Sequence, residues 1–270
     1  GNGLGGIASL PFLYELRSGQ FEVIEPAADY LGTSALDIAN NGNVVGIVTE
    51  TEGEDYPGLP PLRSGFVRDK DGNFTIIARS DGDTGDICQV LPRGVNARGL
   101  VSGYYRLCDR SLPSGFIFDP NTQTFTDIMP SDSTIAQGIN AAGDVVGRSI
   151  FSDEDDPCNS QGSTHYGWLR AADGTVTHFQ VNGRPTDARG INDDGYIVGF
   201  FSDPTSGNSK GFRVKLKRES VCELVALDDD EILNFPGSKD TFPQRINNAG
   251  VVVGSIVDDS GRHGFVARPK

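Results

Sequence analysis

The side chains able to carry chemistry fall into three sets. Histidine occurs only at His165, His178 and His263, and an imidazole titrating near neutral pH can act as general base or acid. His165 and His263 each precede a short aromatic segment, whereas His178 lies in a stretch that reads as an outer strand. No nucleophile elbow, His-Glu-x-x-His or His-x-His pattern accompanies them. An enzymatic reading, as lyase, isomerase or hydrolase, therefore uses His263 or His165 to move a proton, with Tyr104 or Tyr166 and an arginine stabilising an oxyanion.

The second set is polar and cationic. Arg93, Gln137, Arg189 and Gln244 each stand two residues before the β-branched residue that opens a recurring motif, a place taken by Leu36 in its first copy. Guanidinium forks match carboxylates and phosphates, so this set would hold an anionic or hydroxylated ligand. The plainer alternative is a water-filled channel lined by solvated side chains. Tyr104, Tyr105, Arg148, Phe200 and Phe201 follow the second strand of their copies and would add a further cation and aromatic walls, which suit sugars or planar ligands. For Phe200 and Phe201, packing between strands is the preferred explanation.

The third set is acidic. Asp81, Asp83 and Asp86 alternate with glycine and threonine in the manner of a loop wrapping oxygen ligands around a structural Ca²⁺, without the rest of an EF-hand. Residues 153–156 form a second acidic cluster, and acidic surface turns explain both equally well. No other cofactor is indicated. Glycosidase chemistry needs two carboxylates about 5–10 Å apart, yet only Asp37 and Asp187 fall in the segments read as inner strands, which weakens that option.

These residues must be positioned by a repeated element. The pattern apolar-Asn-x-x-Gly-x-Val-Val-Gly occurs five times, at residues 38–46, 95–103, 139–147, 191–199 and 246–254, with Ala39 in place of Asn in the first copy. Their first glycines are 57, 44, 52 and 55 residues apart, near the roughly 40–50 residues of a propeller blade. An apolar strand end, an Asn that caps its own backbone, a Gly able to take positive φ and a Val/Ile-rich return strand predict a tight antiparallel hairpin. A third strand follows at Gly65-Phe66, Gly115-Phe116, Gly167-Trp168, Gly211-Phe212 and Gly264-Phe265, and in most copies a turn then leads to a fourth, such as 124–128. The expectation is one all-β domain, a five-bladed β-propeller of four-stranded antiparallel blades, with units near 30–80, 88–130, 133–180, 185–228 and 240–270. Residues 10–26 read as the outer half of a blade, so the N-terminal strands would close the ring by completing the last unit. Phe12–Leu16 and Gly264–Arg268 both resemble the third strand, so one of them must be redundant or displaced. The turns keep a constant length while the second-to-third-strand loops vary, which marks the loop-rich end as the working face.

The core motif with its later aromatic strand resembles the extracellular HAF-repeat proteins of bacteria. Of their His-Ala-Phe triplet, His263-Gly264-Phe265 comes nearest, with Ser64, Ser114, Tyr166 and Lys210 replacing the His elsewhere. The resemblance spans about residues 30–270. It implies a propeller-like architecture and export, and carries over no catalytic residue.

Four cysteines allow three pairings and match no metal spacing. If the second hairpin pairs Val95 with Leu100, Cys88 falls across from Leu107, beside Cys108, and their bridge would stabilise the fold by about 3 kcal/mol. Cys158 and Cys222 then pair or stay free. Four thiols in a cytosolic protein are the alternative; cysteine number, acidity and the family resemblance favour a secreted or periplasmic protein, and the opening Gly1 fits a mature chain. With 37 acidic against 23 basic residues and a net charge of −14, phosphate backbones are repelled and nucleic acid is not an expected partner. No apolar run is long enough to span a membrane. The resulting expectation is a monomer binding a small polar, anionic or carbohydrate-like molecule at the loop-rich mouth through Arg93, Gln137, Arg189, Gln244, Arg148 and Tyr105; the alternatives are the enzyme above or a protein-interaction platform.

Overall fold

Each recurring motif folds as a tight antiparallel hairpin, for reasons visible in its residues. In the second copy the Asn96 carbonyl accepts from Gly99 N–H, and the Asn96 side-chain oxygen accepts from the N–H groups of Arg98 and Leu100, both at 3.0 Å. The turn glycines Gly42, Gly99, Gly143, Gly195 and Gly250 have φ between 73° and 95°, where a Cβ would be strained. Where Ala39 replaces Asn, Asn41 caps Asn43 N–H instead.

The computed structural model describes residues 10–15, 17–26, 30–49, 62–79, 87–108, 112–128, 131, 133–152, 154–158, 164–203 and 205–269. The chain is all-β and forms several sheets. It opens with a hairpin, β1 (Phe12–Glu15) and β2 (Gln20–Val23). The first unit follows as β3 (Gly32–Ile38), β4 (Val44–Thr49), β5 (Arg63–Arg68) and β6 (Phe74–Ile77). The second is β7 (Ile87–Val95), β8 (Val101–Leu107), β9 (Ser114–Asp119) and β10 (Thr124–Ile128), and a short parallel contact of β5 with β7 joins these two units into one sheet. The third is β11 (Ser133–Ile139), β12 (Val145–Ile150), β13 (His165–Arg170) and β14 (Val176–Val181). The fourth begins with β15 (Thr186–Ile191), β16 (Ile197–Ser202) and β17 (Ser209–Val214). The chain then crosses back, and β18 (Cys222–Val225) pairs in parallel with β14 before β19 (Ile232–Leu233) supplies the fourth strand of the fourth unit. The fifth unit has three strands, β20 (Asp240–Ile246), β21 (Val252–Asp258) and β22 (Gly261–Ala267).

Two expectations are therefore corrected. The fourth unit does not end at residue 228, because its last strand follows the β18 excursion. The N-terminal hairpin does not join the sheet of the fifth unit: among the described residues β1 pairs with β2 alone. The physical reason is its apolar face, since Leu13 and Ile24 pack on Val44, Val48 and Phe66 of the first unit. Both third-strand candidates are thus strands, β1 and β22, in separate sheets.

Within every unit the last glycine of the motif pairs with the third-strand aromatic: Gly46 with Phe66, Gly103 with Phe116, Gly147 with Trp168, Gly199 with Phe212 and Gly254 with Phe265. A Cβ at any of these glycines would strike that ring, so the glycine lets a large aromatic lie across the sheet. Successive units stack face on face. Val146 and Leu169 of the third unit meet Ile197 of the fourth, and Val198 of the fourth meets Val252 of the fifth. Each such fully buried side chain contributes about 1.5–3 kcal/mol.

Both disulfides form. Cys88–Cys108 closes the expected loop across the β7–β8 pair, and Cys158–Cys222 fastens β18 to the loop that precedes β13. Among the described residues no helix is long and apolar enough to cross a membrane.

Candidate functional site

The first strands of consecutive units lie side by side, and each carries the same irregularity. The register slips by one residue between Ala35 and Asp37, Pro92 and Gly94, Ala136 and Gly138, Ala188 and Gly190, and Pro243 and Arg245. The residues left out of the ladder are Leu36, Arg93, Gln137, Arg189 and Gln244. The aligned positions read from sequence are thus the bulge positions of five equivalent strands, and bulges re-aim side chains.

The position after the bulge holds the first strands together. Gly94, Gly138 and Gly190 occupy it in the second, third and fourth units, and a Cβ on Gly190 would lie 3.0 Å from Arg245 Cα and 3.1 Å from the Gln244 carbonyl oxygen. In the first and fifth units the same position is Asp37 and Arg245. Arg245 Nε donates to Asp37 Oδ1 at 2.9 Å, while the other nitrogens of its guanidinium donate to the carbonyls of Arg93, Arg189 and Gln244. Asp37 Oδ2 also accepts from Val95 N–H. One guanidinium therefore ties four units where their first strands converge. Sequence reasoning missed Arg245; the available signal was the single repeat position that is glycine three times and oppositely charged in the remaining two.

Toward the loop-rich end, three guanidinium groups gather round one carboxylate. Arg189 Nη2 donates to Asp187 Oδ2 at 2.8 Å, Arg148 Nε lies 3.6 Å from the same oxygen, and Arg93 is close enough to act on the Asp187 charge. Burial pushes the Asp187 carboxyl above the ordinary carboxylate range, against the pull of Arg189, Arg148 and Arg93. Burial lowers the Arg189 guanidinium, with Asp187 opposing. Arg93 Nε, Arg148 Nε, Arg189 Nε and Asp187 Oδ1 are buried here and have no hydrogen-bond partner among the described residues. Aromatic rings flank the cluster, with Arg93 5.3 Å from the Tyr104 ring centre and bonded to its hydroxyl at 3.1 Å, and Arg189 5.1 Å from the Phe200 ring centre.

The remaining expected residues disperse. Gln137 is buried and Gln244 half-buried at their bulges. Tyr105 packs between the first two units beneath the Arg79 guanidinium, and Phe201 packs among buried residues of the third and fourth. Of the proposed proton carriers, His165 is held below its ordinary pKa by burial and by Arg148, with Asp187 opposing. Tyr166 donates to Asp156. His263 lies in β22 beside the β21–β22 turn of the fifth unit, 2.8 Å from Ser260 Oγ and 3.3 Å from Asp258. His165, Tyr166 and His263 thus belong to different surroundings rather than one constellation. Asp81, Asp83 and Asp86 lie outside the described residues, among which no group of three or more His, Cys, Asp and Glu is arranged to hold a metal ion.

A cavity of about 570 Å³ opens at the opposite, turn end, walled by Phe12, Leu13, Ile38, Val251 and Val253, with Asp37 and Arg245 also lining it. Asn96, Asn140, Asn192 and Asn247 line it too, so it is an axial depression to which all five units contribute, and no single stretch of sequence marks it.

No protein-family model matches the sequence, and no curated protein does. Among solved structures, the chain is similar to an acylaminoacyl peptidase of Pyrococcus horikoshii, with 10% identity and a TM-score of 0.46, over 87% of this chain and 44% of that one. It is also similar to the tricorn protease, with 12% identity and a TM-score of 0.48, over 95% and 25% of the two chains. A putative gluconolactonase matches with 11% identity and a TM-score of 0.40, over 90% and 80%. The chain spans less than half the length of the two peptidases. Likeness this distant carries no argument about activity or ligand.

Proposed function

We propose that the protein is an exported, monomeric five-bladed β-propeller whose loop-rich axial face binds a small anionic ligand, a sugar acid or a related carboxylate or phosphate. The wheel is supported by five equivalent hairpins whose first strands converge, and by the Asp37–Arg245 ion pair between the first and last units. Two disulfides support export, since such bonds persist in oxidising compartments.

The observation that carries the ligand reading is the convergence of Arg93, Arg148 and Arg189, from three different units, on the buried Asp187. Three positive groups against one negative leave an excess of two charges, with guanidinium N–H groups that no acceptor among the described residues satisfies. A buried donor without a partner costs about 1–3 kcal/mol, and a bound carboxylate or phosphate would remove that cost while neutralising the excess. Tyr104 and Phe200 supply flat surfaces for a sugar ring. The position of Asp187 inside the cluster selects for a ligand with both an acidic group and hydroxyls, because a bare anion would meet the carboxylate.

Titration calorimetry with glucuronate, glucose and inorganic phosphate tests this. Glucuronate is expected to bind more tightly than glucose, and its affinity to fall as salt rises. The double variant Arg93→Ala, Arg189→Ala should weaken it by about 100-fold, equivalent to about 2.7 kcal/mol. Equal affinity for glucose and glucuronate, or an unchanged affinity in the double variant, would refute the reading.

A further inference from the structure

We propose that the cleft between the fifth unit and the hairpin β1–β2 is a docking site for a two-stranded hairpin of the repeat's own pattern, presented by a partner polypeptide. The inference rests on how the units stack and not on the arginine cluster.

Internal repetition specifies what belongs on each face. The eighth residue of the motif points toward the following unit and is fully buried in the first four copies, as Val45, Ser102, Val146 and Val198. Its counterpart in the fifth, Val253, is 41% exposed, and Val266 beside it on β22 is 60% exposed. The face that every other unit buries against its successor is bare.

The opposite wall of the cleft shows the complementary deficit. The hairpin β1–β2 repeats the third and fourth strands of a unit: Leu13 and Ile24 cover the first unit as Val67 and Ile77 cover the second. Phe12 then occupies the place of Phe66, Phe116, Trp168, Phe212 and Phe265. Each of those rings lies over a glycine of the neighbouring second strand. Among the described residues Phe12 has no such strand beside it, β1 pairing with β2 alone, and it is 57% exposed.

A third deficit lies at the turns. Asn96 Nδ2 donates to the Asn140 carbonyl, Asn140 Nδ2 to that of Asn192, and Asn192 Nδ2 to that of Asn247, at 2.9, 3.3 and 3.2 Å. Asn247 uses its Oδ1 on Val251 N–H, while its Nδ2 meets no acceptor among the described residues. The missing acceptor is the turn carbonyl of a following hairpin.

One object supplies all three: a first-and-second-strand hairpin carrying Asn-x-x-Gly-x-Val-Val-Gly. Its second strand would pair with the free edge of β1 and place its final glycine beneath Phe12. Its apolar face would cover Val253 and Val266, continuing the interface by which each unit rests on the next, and its turn would accept from Asn247. A second folded copy of this chain offers no such hairpin, because its own are built into their units.

The test is binding of a labelled synthetic peptide, residues 133–150 of this chain, followed by fluorescence anisotropy with sedimentation velocity on the protein alone. Saturable one-to-one binding is expected, weakened about tenfold or more by Val253→Asp. Phe12→Ser, at an exposed position that leaves the fold intact, should weaken it likewise, and so should Gly147→Leu in the peptide. Glucuronate binding by these protein variants should be unchanged, which separates this failure from that of the arginine site. Absence of saturable binding, or a dimer of the protein that Val253→Asp dissociates, would overturn the proposal.

Discussion

The turn end and the loop end of the same strands are held by different interactions. At the turn end, neutral asparagines link neighbouring units through carbonyls, and glycines let the first strands approach until their backbones touch. At the loop end, titratable groups are withdrawn from water: Asp187 is buried among arginines, His165 half-buried near them, and His178 buried between Tyr166 and Phe151. The ion pairs of the turn end, Asp37–Arg245 and Asp144–Arg218, are met by protein partners, whereas the loop end leaves buried polar atoms of Asp187 and its arginines unpaired among the described residues, at a cost in stability. The contrast is the one expected if the turn end is scaffold and the loop end the proposed binding face.

The largest loss of stability is expected where the first strands converge. Gly190→Val sets side-chain atoms against the backbone of Gln244 and Arg245, which cannot retreat without separating the fourth and fifth units. A loss of about 3 kcal/mol or more is expected in urea unfolding.

Next comes acid sensitivity, which should belong to the loop end. Burial lowers the His178 imidazole from its ordinary 6.5 to about 4. The unfolded chain therefore takes up a proton that the folded chain refuses. The contribution of His178 is whole above about pH 6.5 and is lost as pH falls toward 4, reaching about 2–3 kcal/mol. Unfolding free energies measured across this range should fall in the wild type and flatten in His178→Phe.

The smallest effect sharpens the turn end. Asn140→Ala removes a bridge between units and two caps of its own turn, for an expected loss of about 2 kcal/mol. Asn247→Ala removes a turn cap with no bridge behind it and should cost about 0.5–1 kcal/mol by the same assay. Equal losses would show that the bridge contributes nothing.

The repeat, its hairpins and the Cys88–Cys108 bridge were legible because they are local: a turn glycine, a capping Asn and a cross-strand cysteine pair are fixed by residues close in sequence. The aligned Arg93, Gln137, Arg189 and Gln244 were also found, since bulges recur with the repeat. The excursion through β18 was not, because a parallel pairing between units leaves no periodic trace. Nor was the placement of β1–β2, whose pattern identifies a third and fourth strand without saying which unit they cover. Asp187 stood out only as an acid in an inner strand; Arg189 is its neighbour two residues on, but Arg93 and Arg148 come from units that meet it only in three dimensions.

The ion pair that joins first unit to last spans 208 residues of chain. Contacts of such separation repay their loop-closure entropy only after everything between them is in place. The Asp37–Arg245 latch is therefore expected to engage late on the folding path. Weakening it should leave the folding rate nearly untouched and quicken the opening of the finished molecule, so that its value would lie in lifetime rather than in speed of assembly.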